Sequence, residues 1–231
     1  ALFQNEPTGV ISGENQDNLI AELRLLTSAQ YFTNSFKECA KLFGYTLPGG
    51  GFKWNVDGAF VAQVTSALPE RPTNGAPDTR SLLFEHVLIA PFIERSALHQ
   101  ERKFSGSEQA GNNKDEVGKM MDAFAHHVFV DSQGSLIFTD IQGIISPDGS
   151  VVLFDPQAHS SDESTGYWDK GVAGLKAWLR DHKCSNICKK LQLHRAPTDV
   201  HIPAPPDEKP CLPLSPTQNN HQPLRYGFPS P

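Results

Sequence analysis

Cysteine is scarce in this chain, with four residues in 231, at Cys39, Cys184, Cys188 and Cys211. So few thiols cannot staple a domain of this size, and the compartment expected is reducing and cytoplasmic. Methionine is scarcer still: Met120 and Met121 are the only two, and they read as core filler. No apolar run approaches the length of a bilayer span, and no secretory leader is legible at the start. Positive charge is also short, with a formal net charge of −6. That balance gives no electrostatic reason to expect nucleic acid or an anionic membrane as a partner. The length allows one large domain or two small lobes.

What is present falls into zones. Residues 1–15 are polar with Gly and Pro, and are expected to be disordered. From Gln16 to Gly44, Leu19, Leu23, Leu26, Phe32, Phe36 and Phe43 recur near helical spacing, with Gly44 as the stop. Gly49-Gly50-Gly51 then reads as a flexible turn and not a phosphate cradle, because no helix follows it. Strands are expected at Ala59–Val64, Leu82–Phe84 and Val87–Ile89, followed by a polar loop through Lys103-Phe104-Ser105-Gly106. A helix from about Lys114 to Val130 would bury Val117, Met121, Phe124 and Val128. In it His126 and His127 are adjacent and face different sides, with no metal spacing that recruits either.

The stretch from Ser135 to Leu193 is the most informative. Leu136-Ile137-Phe138 and Val151-Val152-Leu153-Phe154 read as strands around the turn Ser146-Pro147-Asp148-Gly149-Ser150. A two-residue loop at Asp148-Gly149 would set Gln142 opposite Asp155. A four-residue turn from Ser146 would set Asp140 there instead. Either register puts Asp140, Gln142 and Asp155 on one face, whereas a three-residue loop would break that parity. Two carboxylates and an amide oxygen at one point suit magnesium. Downstream, a helix through Val172, Leu175, Trp178 and Leu179 leads into His182-x-Cys184-x3-Cys188, and His159 stands upstream in Asp155-Pro156-Gln157-Ala158-His159. Two imidazoles and two thiolates, His159, His182, Cys184 and Cys188, make the ligand set of a closed structural zinc site.

Taken in order, Asp140-Ile141-Gln142-Gly143, Asp155-Pro156-Gln157-Ala158-His159, Gly171-x-x-Gly174 and His182-x-Cys184-x3-Cys188 resemble the C-terminal half of the alpha-kinases, atypical protein kinases. The likeness is strongest from Met121 to Leu193. Upstream, Lys103-Phe104-Ser105-Gly106 and a hinge at Ile89-Ala90-Pro91-Phe92 resemble the fungal branch. The resemblance implies an α+β, two-lobed fold with ATP between the lobes: a partial N-terminal lobe over 16–95, a zinc-stapled C-terminal lobe over 96–193, and a tail over 194–231. It implies Asp140 as the catalytic aspartate and Gln142 and Asp155 as magnesium ligands. Lys103, Ile89 and Ala90 would be further contacts to the nucleotide, and His159, His182, Cys184 and Cys188 would hold zinc. The implied activity is ATP-dependent phosphorylation of serine or threonine in a protein substrate.

The sequence also departs from that pattern. The family places a phosphate-binding lysine on a strand before the long helix, and this sequence begins at about that helix. An incomplete N-terminal lobe is therefore expected, with Lys103 or Arg102 as substitutes and Lys53 on the wrong side of the helix. The family's hinge glutamate is replaced by Ala90. The alternative function is a weak or inactive pseudokinase serving as a zinc-stabilised binding module. The tail after His194 holds ten of the eighteen prolines and is expected to be disordered, with possible ligands for Pro-binding modules at Ala204-Pro205-Pro206 and Leu214-Ser215-Pro216.

Overall fold

The computed structural model describes residues 2–3, 15–70, 72, 80–93 and 96–193. The expectations for the chain before Asn15 and for the Pro-rich tail, Cys211 included, lie outside the described residues, save the backbone of Leu2–Phe3. The fold is α+β. Nine strands, β1 (Leu2–Phe3), β2 (Phe52–Trp54), β3 (Phe60–Gln63), β4 (His86–Ile89), β5 (Gln100–Lys103), β6 (Leu136–Thr139), β7 (Gln142–Ile145), β8 (Val151–Phe154) and β9 (Gln157–Ser160), accompany four helices among the described residues. The helices are α1 (Asn15–Leu42), α2 (Glu116–Asp131), α3 (Gly171–Asp181) and α4 (Asn186–Lys190). No helix among the described residues is long and apolar enough to cross a membrane.

Helix α1 forms where the periodicity places it. Leu19, Leu26, Ala29, Thr33, Phe36 and Ala40 make its buried face. Gly44, at φ 61°, reverses the chain, and Tyr45 N–H donates to the Ala40 carbonyl at 2.8 Å. Helix α2 opens on Asp115, whose carboxylate accepts from Gly118 N–H, and it is buried almost all round from Met120 to Phe129. Ser35 ties the two helices together: its hydroxyl lies 2.8 Å from Asp131 and 3.0 Å from His127 Nε2. Burial pushes His127 down to about 4, so the ring in this staple is neutral. Phe124 anchors the core, with the rings of Phe52, Phe36, Phe138 and Trp54 at 5.0, 5.9, 6.1 and 6.4 Å.

The strands form three sheets, ordered β1-β4-β3, β2-β8-β7-β5 and β6-β9. Leu82–Phe84 is not a strand; those residues are irregular and only partly buried. The loop expected at Lys103–Gly106 begins one residue later, because Gln100–Lys103 is strand β5, which sets Lys103 beside Gln142 on β7. Its alternation of charged and polar residues hides the strand, because this edge faces solvent on both sides. Strand β2, from the segment before residue 95, runs parallel to β8.

The hairpin differs from both expected registers. Ser146 and Ser150 are bonded, Ser146 N–H to the Ser150 carbonyl at 2.9 Å, and Gly149 N–H reaches the Ser146 carbonyl at 2.8 Å. The loop is therefore the three residues Pro147-Asp148-Gly149, with Gly149 at φ 84°. Gln142 pairs with Phe154, and the same register continues beyond a gap, where Leu136 pairs with Ser160 and Thr139 with Gln157. Residues 136–145 and 151–160 are thus one long antiparallel ribbon that bends where the ladder is interrupted. On one strand the break is Asp140-Ile141 and on the other Asp155-Pro156. Pro156 brings no N–H to a ladder, and both aspartates take left-handed backbone, φ 52° and 53°.

The triple glycine is a turn, as expected, but it is held in place. A Cβ on Gly49 would lie 2.0 Å from the Gly149 carbonyl oxygen, whereas one on Gly50 would meet nothing within 4 Å. Both have positive φ, 59° and 74°. Gly50→Ala should therefore cost about 1 kcal/mol from backbone conformation alone. Gly49→Ala should cost roughly 2–4 kcal/mol because the hairpin tip must move as well. Urea denaturation of the two variants checks the order, and equal losses would show that the contact with Gly149 does not matter.

Candidate functional site

The bend in the ribbon leaves backbone polar groups without strand partners, and the segment after β5 takes them up. Phe104 N–H donates to the Ile141 carbonyl at 2.7 Å, Asp140 N–H to the Gly106 carbonyl at 3.0 Å, and Ile141 N–H to the Ser105 hydroxyl at 3.0 Å. These bonds fix the position of Lys103, which ion-pairs with the Asp140 carboxylate. Across the ribbon, the Gln142 side-chain amide donates to Asp155 Oδ2 at 3.1 Å. Lys103, Asp140, Gln142 and Asp155 thus meet at the bend. The three-residue loop would have separated them by strand parity; the left-handed turns at Asp140 and Asp155 bring them back together.

The charge balance of this cluster is negative. Burial, and then the Asp140 charge, raise the Asp155 pKa, while Lys103 and the Gln142 amide lower it. Arg102, the other candidate cation, is taken elsewhere. It makes a bidentate pair with Asp115 at 2.5 and 2.9 Å, bonds Asn113 at 3.1 Å, and lies over the Phe104 ring at 4.8 Å. Lys53 pairs loosely with Asp57 at 3.8 Å on the exposed surface. Ile89 closes β4 in the three-stranded sheet, and the buried Ala90 follows just outside it.

The second cluster is built at the far end of α2. The ligand atoms of His126, His182, Cys184 and Cys188 all lie within 4.8 Å of one another. His182 Nε2 is 3.1 Å from His126 Nδ1, and the two His–Cys separations, Cys184 to His126 and Cys188 to His182, are both 3.8 Å. A tetrahedral zinc with ordinary Zn–N and Zn–S bonds separates its ligand atoms by roughly 3.3–3.8 Å; the donor set suits that ion, the two 3.8 Å separations match it, and the His–His separation is slightly tighter. Trp178 stacks on the His182 ring at 4.4 Å and 11°, and Ser185 caps α4 by accepting from Ile187 and Cys188 N–H. Burial pushes the Cys188 thiol up to about 11, against the lowering effect of its hydrogen bonds to Ser185.

The expected fourth ligand, His159, is not in this cluster. Its Nε2 donates to the Ser107 carbonyl at 2.8 Å, and its Nδ1 accepts from Lys170 N–H at 3.1 Å, so both nitrogens are used. Gly174 makes room for this ring, since a Cβ there would lie 2.3 Å from His159 Cγ. His126 takes the fourth place. Fifty-six residues separate it from His182, and no local spacing marks it. Its only sequence signal is a helix position facing away from that of His127.

Comparison with known proteins bears on the same residues. The sequence pattern of the Alpha-kinase family matches residues 3–188. The chain belongs to the alpha-kinase family. Alpha-protein kinase vwkA of Dictyostelium discoideum is 34% identical over 80 residues, 34% of this chain and 13% of the relative. Eukaryotic elongation factor 2 kinase of Rattus norvegicus is 35% identical over 80 residues, 34% of this chain and 10% of the relative. In fold, the chain is similar to the alpha-kinase domain of myosin-II heavy chain kinase A, with a TM-score of 0.60 at 19% identity over 84% of this chain and 64% of that one. The complex of that relative's domain with AMP gives 0.59 at 18% identity, covering 84% and 65%. The chain thus spans a small part of the curated relatives and about two thirds of the solved alpha-kinase domain.

One further residue of this alpha-kinase fold stands outside the expected site residues. Glu22 lies between Leu19 and Leu26 on the buried face of α1, and burial, then the Asp155 charge, push its carboxyl up to about 7. The helix-face pattern, with Leu19 three residues before and Leu26 four after, sets this acid on the apolar stripe, and that is the signal that could have found it. Because its folded value stands above the 4.5 of an unperturbed glutamate, its contribution to stability is full below about pH 4.5 and is lost as pH rises through 7. Glu22→Gln removes that loss. In magnesium-free buffer without chelator the variant should match the parent at pH 5 and exceed it on the order of 2 kcal/mol at pH 8. Urea denaturation at the two pH values decides it; equal stability at both would mean that Glu22 is solvated.

Proposed function

We propose that this chain is the catalytic part of a protein kinase that transfers the γ-phosphate of ATP to a serine or threonine hydroxyl of a protein. The observation that carries the reading is the convergence of Lys103, Asp140, Gln142 and Asp155 at the bend of the ribbon. Phosphoryl transfer asks the protein mainly for position and charge neutralisation. In this reading Asp140 orients the acceptor hydroxyl and takes its proton late, while Lys103 holds the carboxylate in place. Gln142 and Asp155 offer the hard oxygens that would hold magnesium: with the amide N–H directed to Asp155 Oδ2, Gln142 Oε1 and Asp155 Oδ1 remain as donors. Bound there, the ion would offset the charge of the phosphate oxygens. Ile89 and Ala90, between the β4 sheet and the post-hinge strand, are offered to the adenine on the strength of the family pattern. The two-lobed division at residue 95 belongs to the same proposal.

Zinc in the cage of His126, His182, Cys184 and Cys188 would join α2, the end of α3 and α4. A five-residue helix such as α4 cannot stand alone, so the metal's role is folding. A compartment that keeps Cys184 and Cys188 reduced is part of this reading.

Two expected outcomes follow from these assignments. Purified protein should contain about one zinc per chain by elemental analysis. His126→Ala and Cys188→Ser should lose the metal and unfold the C-terminal part, since structural zinc contributes on the order of 10 kcal/mol. His159→Gln should keep the zinc, and loss of metal in that variant instead would restore the sequence-based ligand set.

For catalysis, magnesium–ATP should raise the melting temperature, and Asp155→Ala should abolish the shift. Asp140→Ala should keep the shift but remove phosphate transfer to a generic basic protein, measured with labelled ATP. Nucleotide binding without any transfer, even by the parent, would favour the pseudokinase reading.

A further inference from the structure

A cavity of about 600 Å3 opens beside the catalytic end of the site, between the segment after β5 and the end of α3. Lys103 and Gly106 line one part of it, and Gln109, Asn112, Asn113 and Asp181 line the rest. Gly106 is the residue whose carbonyl receives Asp140 N–H, and Lys103 is the partner of the Asp140 carboxylate, so the cavity begins where the acceptor hydroxyl would lie. Its size is that of a ligand-binding cleft.

The walls are rigid. Asn113 bonds the Phe104 carbonyl at 2.9 Å and the buried Asp122 through N–H and side chain at 2.7 and 2.9 Å. Asn112 clamps the other side, donating to the Asp181 carbonyl at 3.0 Å and accepting from Lys183 N–H at 2.9 Å. Gly111, at φ 73°, allows this close return: a Cβ there would lie 2.2 Å from the Phe104 carbonyl oxygen.

The charged residues of the lining are Lys103 and Asp181. Lys103 is neutralised by Asp140. Asp181 is exposed; its Oδ2 accepts from Ala110 N–H at 2.8 Å, and its Oδ1 has no partner among the described residues. The charge left unpaired in the groove is therefore negative and belongs to Asp181. Arg180 and Lys183, its neighbours in sequence, are not part of the lining.

We infer that this groove holds the acceptor segment of the protein substrate in extended form, and that Asp181 receives a lysine or arginine of that segment. The inference rests on the reading of Asp140 as the catalytic residue. The polar lining suits peptide main chain, and the carboxylate supplies the selectivity, by attraction for a basic side chain and by repulsion of an acidic one. Asp181 contacts the substrate away from the reacting atoms, so it governs which segment is bound and not the chemical step.

The test is binding of fluorescent serine-containing peptides to the full chain without nucleotide, in two sets that carry arginine or glutamine near the serine. The arginine set should bind about tenfold tighter at low salt, and Asp181→Asn should reduce that preference to within about twofold. Asparagine keeps an acceptor for Ala110 N–H, so melting temperature and zinc content should not change. Gln109→Lys, which adds a positive charge to the lining, should weaken the arginine set by a similar factor. A preference that survives Asp181→Asn, a tighter glutamine set, or no binding of either set would overturn the inference. Arginine-peptide binding that depends on Asp181, in a chain that never transfers phosphate, would sink the kinase reading and leave the groove standing. Transfer indifferent to Asp181 would do the reverse.

Discussion

The structure depends on one in-step bend in a single antiparallel ribbon. An ordinary ribbon of this length would carry its ladder from Leu136 through Ile145 without a break. Here both strands leave extended backbone opposite each other, at Asp140-Ile141 and at Asp155-Pro156, and the register on either side of the break is unchanged. Proline removes a donor at the bend, and the two aspartates take left-handed backbone, which costs on the order of 1–2 kcal/mol each. Such strain persists only where the surroundings hold it in place. The segment Phe104–Gly106 does so by taking up the released polar groups of Asp140 and Ile141. The post-hinge segment, the bend and the carboxylates are consequently one unit, and a change in any of the three displaces the others.

That unit explains why local motifs were legible and their assembly was not. Asp140, Gln142, Asp155 and Lys103 stand out in the sequence because polar residues interrupt apolar strands. That they meet was expected from strand parity, and parity was the wrong reason. The three-residue loop Pro147-Asp148-Gly149 shifts the register by one, which would send Gln142 and Asp155 to opposite faces had the backbone stayed extended. Positive φ at a non-glycine residue is invisible to periodicity, so the true reason could be found only in the folded chain. Strand β9 was hidden likewise: Gln157–Ser160 is short and largely polar, and its partner β6 had been assigned to a hairpin with β8.

The long helices lie at the other extreme. The bounds expected for α1 and α2 differ from those observed by one or two residues, because many turns of 3.6-residue period average out local noise. The histidine–cysteine cluster divides the same way. His182, Cys184 and Cys188 lie within one short segment and are read from spacing. The fourth member comes from α2, more than fifty residues earlier, and tertiary packing alone puts His126 there and His159 elsewhere. What decides between them is the occupancy of ring nitrogens: His159 spends both on Ser107 and Lys170.

The electrostatics of the bend have a direction. Asp140, Asp155 and Glu22 outnumber Lys103, and burial raises the pKa of Asp155 and of Glu22. A carboxyl that resists ionisation is one whose surroundings lack positive charge. Each proton held at the site therefore competes with any other cation that could occupy it, and by linkage a cation that favours the ionised carboxylates is bound more tightly as pH rises. Fully neutral surroundings would have made the cluster more stable and left it without attraction for a cation. The fold instead keeps a deficit of positive charge at the bend of the ribbon, and the hydrogen bond from Gln142 to Asp155 sets which oxygens face that deficit.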